Sequence, residues 1–108
     1  SSMNEGEDFE PIADIDRLIH EPARLIILAH LYVVESADFL FLARQTGLTP
    51  GNLSSHVSKL EDAAYVEVMK EFVDKKPHTM LRLTAEGRNA FKEYVRSMKQ
   101  VFDELSEK

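Results

Sequence analysis

Apolar residues along the chain repeat with two different periods, and the switch between them locates the elements. From Pro11 onward, Ile12, Ile15, Leu18 and Ile19 recur at helical spacing and predict a short amphipathic first helix. Glu21-Pro22 restarts the chain, because proline suits the first turn of a helix, and Leu25, Ile26, Leu28, Leu31 and Tyr32 mark a buried second helix. Ser36 is the predicted N-cap of a third helix from about Ala37 to Gln45, with Asp38 in its first turn and Phe39, Leu42 and Ala43 toward the core. Thr46-Gly47-Leu48 breaks the pattern. Thr49-Pro50 then pairs a capping hydroxyl with a proline at the first helical position, opening a fourth helix from Pro50 to about Ala63. Beyond it the period drops to two: Val66, Val68, Lys70 and Phe72 alternate with Tyr65, Glu67, Met69 and Glu71, as along a strand. Asp74-Lys75-Lys76-Pro77-His78 predicts a turn, Thr79 to Leu83 the returning strand, and Thr84 the cap of a last helix from Ala85 to about Leu105.

This order predicts an α+β, mostly helical fold: a helix-turn-helix over about 37–63, a β-hairpin wing over about 65–83, an N-terminal helix and a long C-terminal helix. A helix-turn-helix alone is a weak signal. A basic, proline-containing hairpin directly after it makes the winged-helix order far more specific. Residues 1–10, acidic and nearly free of apolar side chains, are expected to be a disordered arm, and 11–108 a single domain.

On a helical wheel with Leu53 at zero, Val57 falls near roughly 40° and Leu60 near roughly 340°, a narrow apolar stripe. Opposite lie Gly51, Ser55, Ser58, Lys59 and Asp62, flanked by Asn52 and Ser54. Small, hydrogen-bonding and free of acids over its first two turns, that face suits a major groove. Asn52 can bind adenine in bidentate fashion, whereas Ser54, Ser55 and Ser58 accept from or donate to almost any base. Thr49 and the helix start, with Lys59, Lys75, Lys76 and Arg82, are the candidate phosphate contacts. The wing, 70–82, is expected on the backbone or in the minor groove.

Charge changes this picture less than the total suggests. The 108 residues carry a net −6, but residues 1–20 hold six acids against Arg17 alone, so the other 88 are nearly neutral at −1. No acid occurs between Gln45 and Leu60, and Lys70 to Arg82 holds four bases against Glu71 and Asp74. The local field decides what a face attracts. With no cysteine, disulfides, thiolate zinc sites and cysteine chemistry are excluded. The most apolar run, Leu25 to Val34, is half the length of a membrane span, and the acidic N-terminus lacks signal-peptide order, so a cytoplasmic protein is expected. Asp16 and His20 stand at a metal-ligand spacing, but two ligands are not a site, and His30, His56 and His78 do not extend it. No phosphate loop, nucleophile motif or facing carboxylate pair is present, so neither an enzyme, a cofactor nor a metal is expected.

Leu48-Thr49-Pro50-Gly51-Asn52-Leu53-Ser54-Ser55-His56-Val57-Ser58-Lys59-Leu60-Glu61 resembles the recognition-helix motif of winged-helix transcriptional regulators of the MarR/ArsR type. Tyr65-Val66-Glu67-Val68, Lys76-Pro77-His78-Thr79 and Leu83-Thr84-Ala85-Glu86-Gly87-Arg88 resemble their wing strand, wing tip and post-wing helix start, and His20 to Leu28 their opening helix. The resemblance spans about 18–105. It implies a dimeric bacterial or archaeal regulator of double-stranded DNA, with Asn52, Ser54, Ser55 and Lys59 on the groove and Lys75, Lys76 and His78 on the wing. Ala63-Ala64 departs from the glycine that usually ends the recognition helix, which leaves the aim of the wing open.

Phe91, Val95, Met98, Phe102 and Leu105 step by 4, 3, 4 and 3, a two-heptad seam, and Ile12, Ile15, Leu18 and Ile19 add a second apolar strip. These strips either build a homodimer or pack on each other within one chain. A homodimer would present two recognition helices about 34 Å apart. Two rival functions stand beside the regulator. One is a winged-helix module that binds protein with the same face; the other is a sensor of a small-molecule effector held near Phe39, Phe41, Tyr94 and Met98.

Overall fold

A computed structural model describes residues 16–106, so the predicted acidic arm and the seam residues Ile12 and Ile15 lie outside the described residues. Helix α1 spans Pro22–Val34 and strand β1 Ser36–Asp38, followed by α2, Phe39–Thr46, and α3, Pro50–Asp62. Strand β2, Val66–Val73, and strand β3, Lys76–Leu83, form the hairpin, and α4, Ala85–Ser106, closes the domain. The three strands make one antiparallel sheet in the order β1-β3-β2. This is the winged-helix order read from the sequence.

The core is the meeting point of three helical stripes with the root of the sheet. Ile27, Leu28 and Leu31 of α1, Leu42 of α2, Leu53 and Leu60 of α3 and Leu81 of β3 are essentially inaccessible to water. Ile19, expected on a dimer strip, is also fully buried here and therefore serves the core of its own domain. The described end of the predicted first helix, Arg17–Ile19, is a turn. Asp16 Oδ1 accepts there from the amides of Leu18 at 2.9 Å and Ile19 at 3.3 Å.

Two boundaries differ from the sequence expectation. Ala37 does not begin a helix: Ser36–Asp38 pairs with Met80–Arg82 of β3, and Asp38 itself caps α2 by accepting from Phe41 N–H at 3.0 Å. Three residues are too few to show strand periodicity, so the competing cap at Ser36 dominated the pattern. The hairpin turn is also tighter than a five-residue loop. Asp74 and Lys75, both with positive φ, make a two-residue turn of the type that matches strand twist, and Val73 pairs with Lys76. Lys76, Pro77 and His78 consequently belong to β3. Pro77 is tolerated because β1 pairs only with the root of β3 and leaves its outer half without a second neighbour.

Helix α3 ends in the way the glycine-bearing sequences of its type would lead one to expect, although alanine stands there. Ala64 adopts φ 67°, Tyr65 N–H donates to Leu60 C=O at 3.0 Å and Ala64 N–H to Glu61 C=O at 2.9 Å. That is the paired hydrogen-bond closure of a left-handed helix cap. An alanine Cβ in this region is strained by roughly 1–2 kcal/mol. Ala64→Gly is therefore expected to stabilise the domain by about 0.5–1 kcal/mol, the relief of strain exceeding the added freedom of the unfolded chain. Thermal melting should show a midpoint raised by a few degrees; an unchanged or lower midpoint would contradict the strain assigned to Ala64.

Candidate nucleic-acid interface

The recognition-helix candidate is α3, and its orientation follows from its burial. Leu53, Val57 and Leu60 are buried, which turns Asn52, Ser54, Ser55, Ser58 and Lys59 to solvent. Thr49 caps the helix by accepting from Asn52 N–H at 3.1 Å, and Pro50 occupies the first turn without wasting a donor. The exposed side carries no acid until Glu61 and Asp62, at its C-terminal end.

Beside α3 stands the wing. Ser54, Val57 and Ser58 of α3 face Val68 and Lys70 of β2 and Thr79 and Leu81 of β3 across a groove of ≈ 300 Å³. The fold thus brings the serine face and the hairpin to one side of the molecule. Lys70, counted among the basic residues but not among the candidate contacts, lines that groove. Lys75 sits at the hairpin turn and Lys76 next to it.

Two candidate wing residues are placed differently from the rest. Arg82 lies at the root of β3 and is ion-paired with Glu67 across the strands. His78 is in β3 rather than at the tip, and its Nδ1 lies 2.8 Å from Asp38 Oδ1, so it fastens the hairpin to the start of α2. The periodic pattern could not show this bond, because Asp38 and His78 are 40 positions apart. Arg24 was likewise missed. Its Nε donates to Leu18 C=O at 2.6 Å and its Nη1 lies 3.1 Å from His56 Nδ1, tying α1 and the N-terminal turn to the flank of α3. His56 is half-buried, as expected of a residue at the edge of the apolar stripe.

The possible dimer seam divides in two. Phe91 stacks near Tyr32 at 5.2 Å between centroids and Met98 packs on the core, whereas Val95, Phe102 and Leu105 are 39%, 59% and 63% exposed. Leu18 is half-buried against the core. Phe39 lines the groove between α3 and the wing, and Tyr94 a separate hollow of ≈ 590 Å³ along α4 that also includes Asp16, Tyr65 and Glu93. There Tyr65 OH donates to Asp16 Oδ2 at 2.6 Å; burial and that carboxylate push the phenol up to about 12. Among the described residues, no group of three His, Asp or Glu side chains is arranged to hold a metal ion. Nor is any described helix long and apolar enough to cross a membrane.

A buried-stripe helix presenting a polar face beside the two-stranded wing of a three-stranded sheet defines a winged helix-turn-helix domain. The chain belongs to the winged helix DNA-binding domain family, whose model matches residues 23–102. This family comprises DNA-binding regulators rather than enzymes. The chain is similar to the uncharacterized protein MJ0432 of Methanocaldococcus jannaschii, with 35% identity over 79% of this chain and 92% of that one. Its structure is similar to a transcriptional regulator homologue from Pyrococcus horikoshii, with 32% identity, a TM-score of 0.83 and coverage of 92% and 97%. NadR in complex with 4-hydroxyphenylacetate matches at 25% identity and a TM-score of 0.68, covering 94% and 70%. A MarR family regulator from Silicibacter pomeroyi shares the fold at 20% identity and a TM-score of 0.62, over 82% and 58%.

The Asp38–His78 link has a pH signature. The His78 hydrogen bond, then the Phe41 amide, hold the Asp38 carboxyl below its ordinary value of 3.8. A depressed carboxylate contributes stability above its unfolded value and loses it as the pH falls through the folded one. Asp38→Asn, which retains a capping side chain, should therefore melt below the parent protein at neutral pH and converge with it below pH 3.8. Parallel melts across a pH series would expose the opposite trend, a gap that widens in acid, if the carboxylate were not held by this bond.

Proposed function

We propose that this protein is a dimeric, sequence-preferring regulator that places α3 in the major groove of duplex DNA and its wing on the adjoining backbone or minor groove. The observation that carries this reading is the exposed, acid-free start of α3 standing beside a lysine-bearing hairpin. Asn52, Ser54, Ser55 and Ser58 are the base-reading candidates. Thr49, Lys59, Lys75 and Lys76 are the phosphate candidates, joined by Lys70. Arg82 and His78 are weaker ones, since each already has a carboxylate partner within the fold.

Dimerisation through α4 has support in shape. The radius of gyration is 16.5 Å, above the roughly 13 Å of a compact chain of this size. Beyond Met98 every described side chain is exposed except the half-buried Val101. A 22-residue helix that leaves Phe102 and Leu105 in water is suited to a second copy of itself. A small-molecule effector would find the hollow beside Tyr65 and Tyr94, and the relative NadR is known in complex with 4-hydroxyphenylacetate. An interaction module for protein alone has no such specific support.

Three to four lysine contacts per protomer imply a log–log salt slope of about −5 to −7 for a dimer on duplex DNA. Lys59→Ala should weaken binding to all sequences and lower the slope by about 1 per protomer, whereas Asn52→Ala should relax preference at one base pair. Duplexes selected from a random pool, titrated from 50 mM salt upward, test both; no salt-dependent binding would reject the reading. Phe102→Glu should halve the mass measured by light scattering without loss of helicity. A mass unchanged by that substitution would move the dimer interface elsewhere.

A further inference from the structure

Strand alternation divides the wing into two faces with different chemistry. One carries Val66, Val68, Lys70 and Phe72 of β2 opposite Leu83, Leu81, Thr79 and Pro77 of β3. Its root is core: Val66, Leu81 and Leu83 are buried. Its middle, Val68, Lys70 and Thr79, forms one wall of the groove whose other wall is Ser54, Ser58 and, at the C-terminal end, Glu61 of α3. At its outer end is Phe72, 79% exposed, the most exposed phenylalanine among the described residues. Pro77 lies directly across from it.

Glu67 and Glu71 alternate to the opposite face, and Asp74 sits in the turn. The wing face that ends at Phe72 therefore carries no acid of its own, and it meets the serine side of α3 across a groove whose one carboxylate is Glu61, at the C-terminal end of α3. Lys70 stands on that face, with Lys75 and Lys76 at the tip. A Phe–Pro cross-strand pair can stiffen a hairpin, but a phenylalanine this exposed buries little of its ring doing so. Aromatic and aliphatic side chains on basic ribbons serve another purpose in minor-groove binders, where they enter a base step, partly unstack it and bend the duplex.

The geometry points to Phe72 as an apolar wedge that enters the minor groove next to the major groove occupied by α3 and bends the DNA at a deformable pyrimidine–purine step. Occupancy by DNA, rather than by protein, follows from Lys70 on the same face, Lys75 and Lys76 at the hairpin tip, and the continuity of this face with the start of α3. The inference rests on the DNA-binding reading above. Pro77 backs the ring from the neighbouring strand, and the two-residue turn keeps the tip narrow. Phe72 would then select sequence by the ease of unstacking rather than by hydrogen bonds.

The test uses the full chain and a duplex selected from a random pool, with donor and acceptor dyes at its ends and 2-aminopurine at successive flanking steps. Wild-type protein should shorten the end-to-end distance and brighten one 2-aminopurine. Phe72→Thr, which keeps strand propensity, should abolish both signals and weaken binding on the order of tenfold with an unchanged salt slope. Phe72→Leu should retain most of the bend, since leucine also serves as a wedge. A straight wild-type complex, a Phe72→Thr complex bent like wild type, or a Phe72→Leu complex as straight as Phe72→Thr would overturn the inference while leaving DNA binding intact. Failure of the wild-type protein to bind any duplex would instead remove the reading beneath it.

Discussion

The junction where α3 hands over to the wing governs the aim of every surface element in this domain. Leu60 C=O receives Tyr65 N–H, Ala64 C=O receives the Thr84 hydroxyl at 2.6 Å, and Tyr65 C=O receives Thr84 N–H at 3.1 Å. Through Leu60, Ala64, Tyr65 and Thr84 the end of α3, the root of the hairpin and the residue that precedes α4 are thus bonded to one another. Gly87 permits the approach: a Cβ built there would lie 2.2 Å from Tyr65 O, a contact with backbone that cannot yield. Gly87 is consequently required for proximity rather than for backbone freedom. The cost of Ala64 in the left-handed region is borne at the same place, and the surrounding bonds over-determine it.

That junction explains how much of the molecule could be read in advance. Long periodic segments were legible. Leu53, Val57 and Leu60 mark α3 by spacing alone, and the change of period at Val66 marks the wing, because burial of one side is what creates each pattern. Elements that exist through a partner were not. Strand β1 is three residues long and owes its form to Met80–Arg82. The Asp38–His78, Arg24–His56 and Asp16–Tyr65 links join positions 32 to 49 residues apart and leave no local trace. Ile19 shows the ambiguity of an apolar strip: spacing reveals that a residue is buried, not against what, and here the answer is its own core.

Electrostatics reconcile a negative protein with a negative partner. The −6 of the chain is concentrated in its first 20 residues. The side that unites α3 with the inner wing has no acid before Glu61. Two carboxylates of the wing and its base are engaged, Asp38 by His78 and Phe41 N–H and Glu67 by Arg82, and Glu61 is confined to the C-terminal end of α3. Lys59 and Lys70, with Lys75 and Lys76 at the wing tip, supply the positive charge of this side over a short range, within which screening at physiological salt is incomplete.

Selectivity has to be built from weak parts. Asn52 is the single side chain on the α3 face with bidentate reach to a base, and three serines discriminate little among bases. On the proposed reading, a reader with so few specific donors would gain its preference from geometry: how a duplex must be shaped to touch α3 and the wing at once. Such geometric selection works only if the two touching elements cannot move independently. The bonds from Leu60, Ala64 and Tyr65 to their partners fix the root of the wing to the end of α3, and Asp38–His78 fastens the hairpin farther out to the start of α2. On the proposed DNA-binding reading, rigidity at these bonds, more than the chemistry of the exposed hydroxyls, is what would let a surface poor in base readers distinguish one duplex from another.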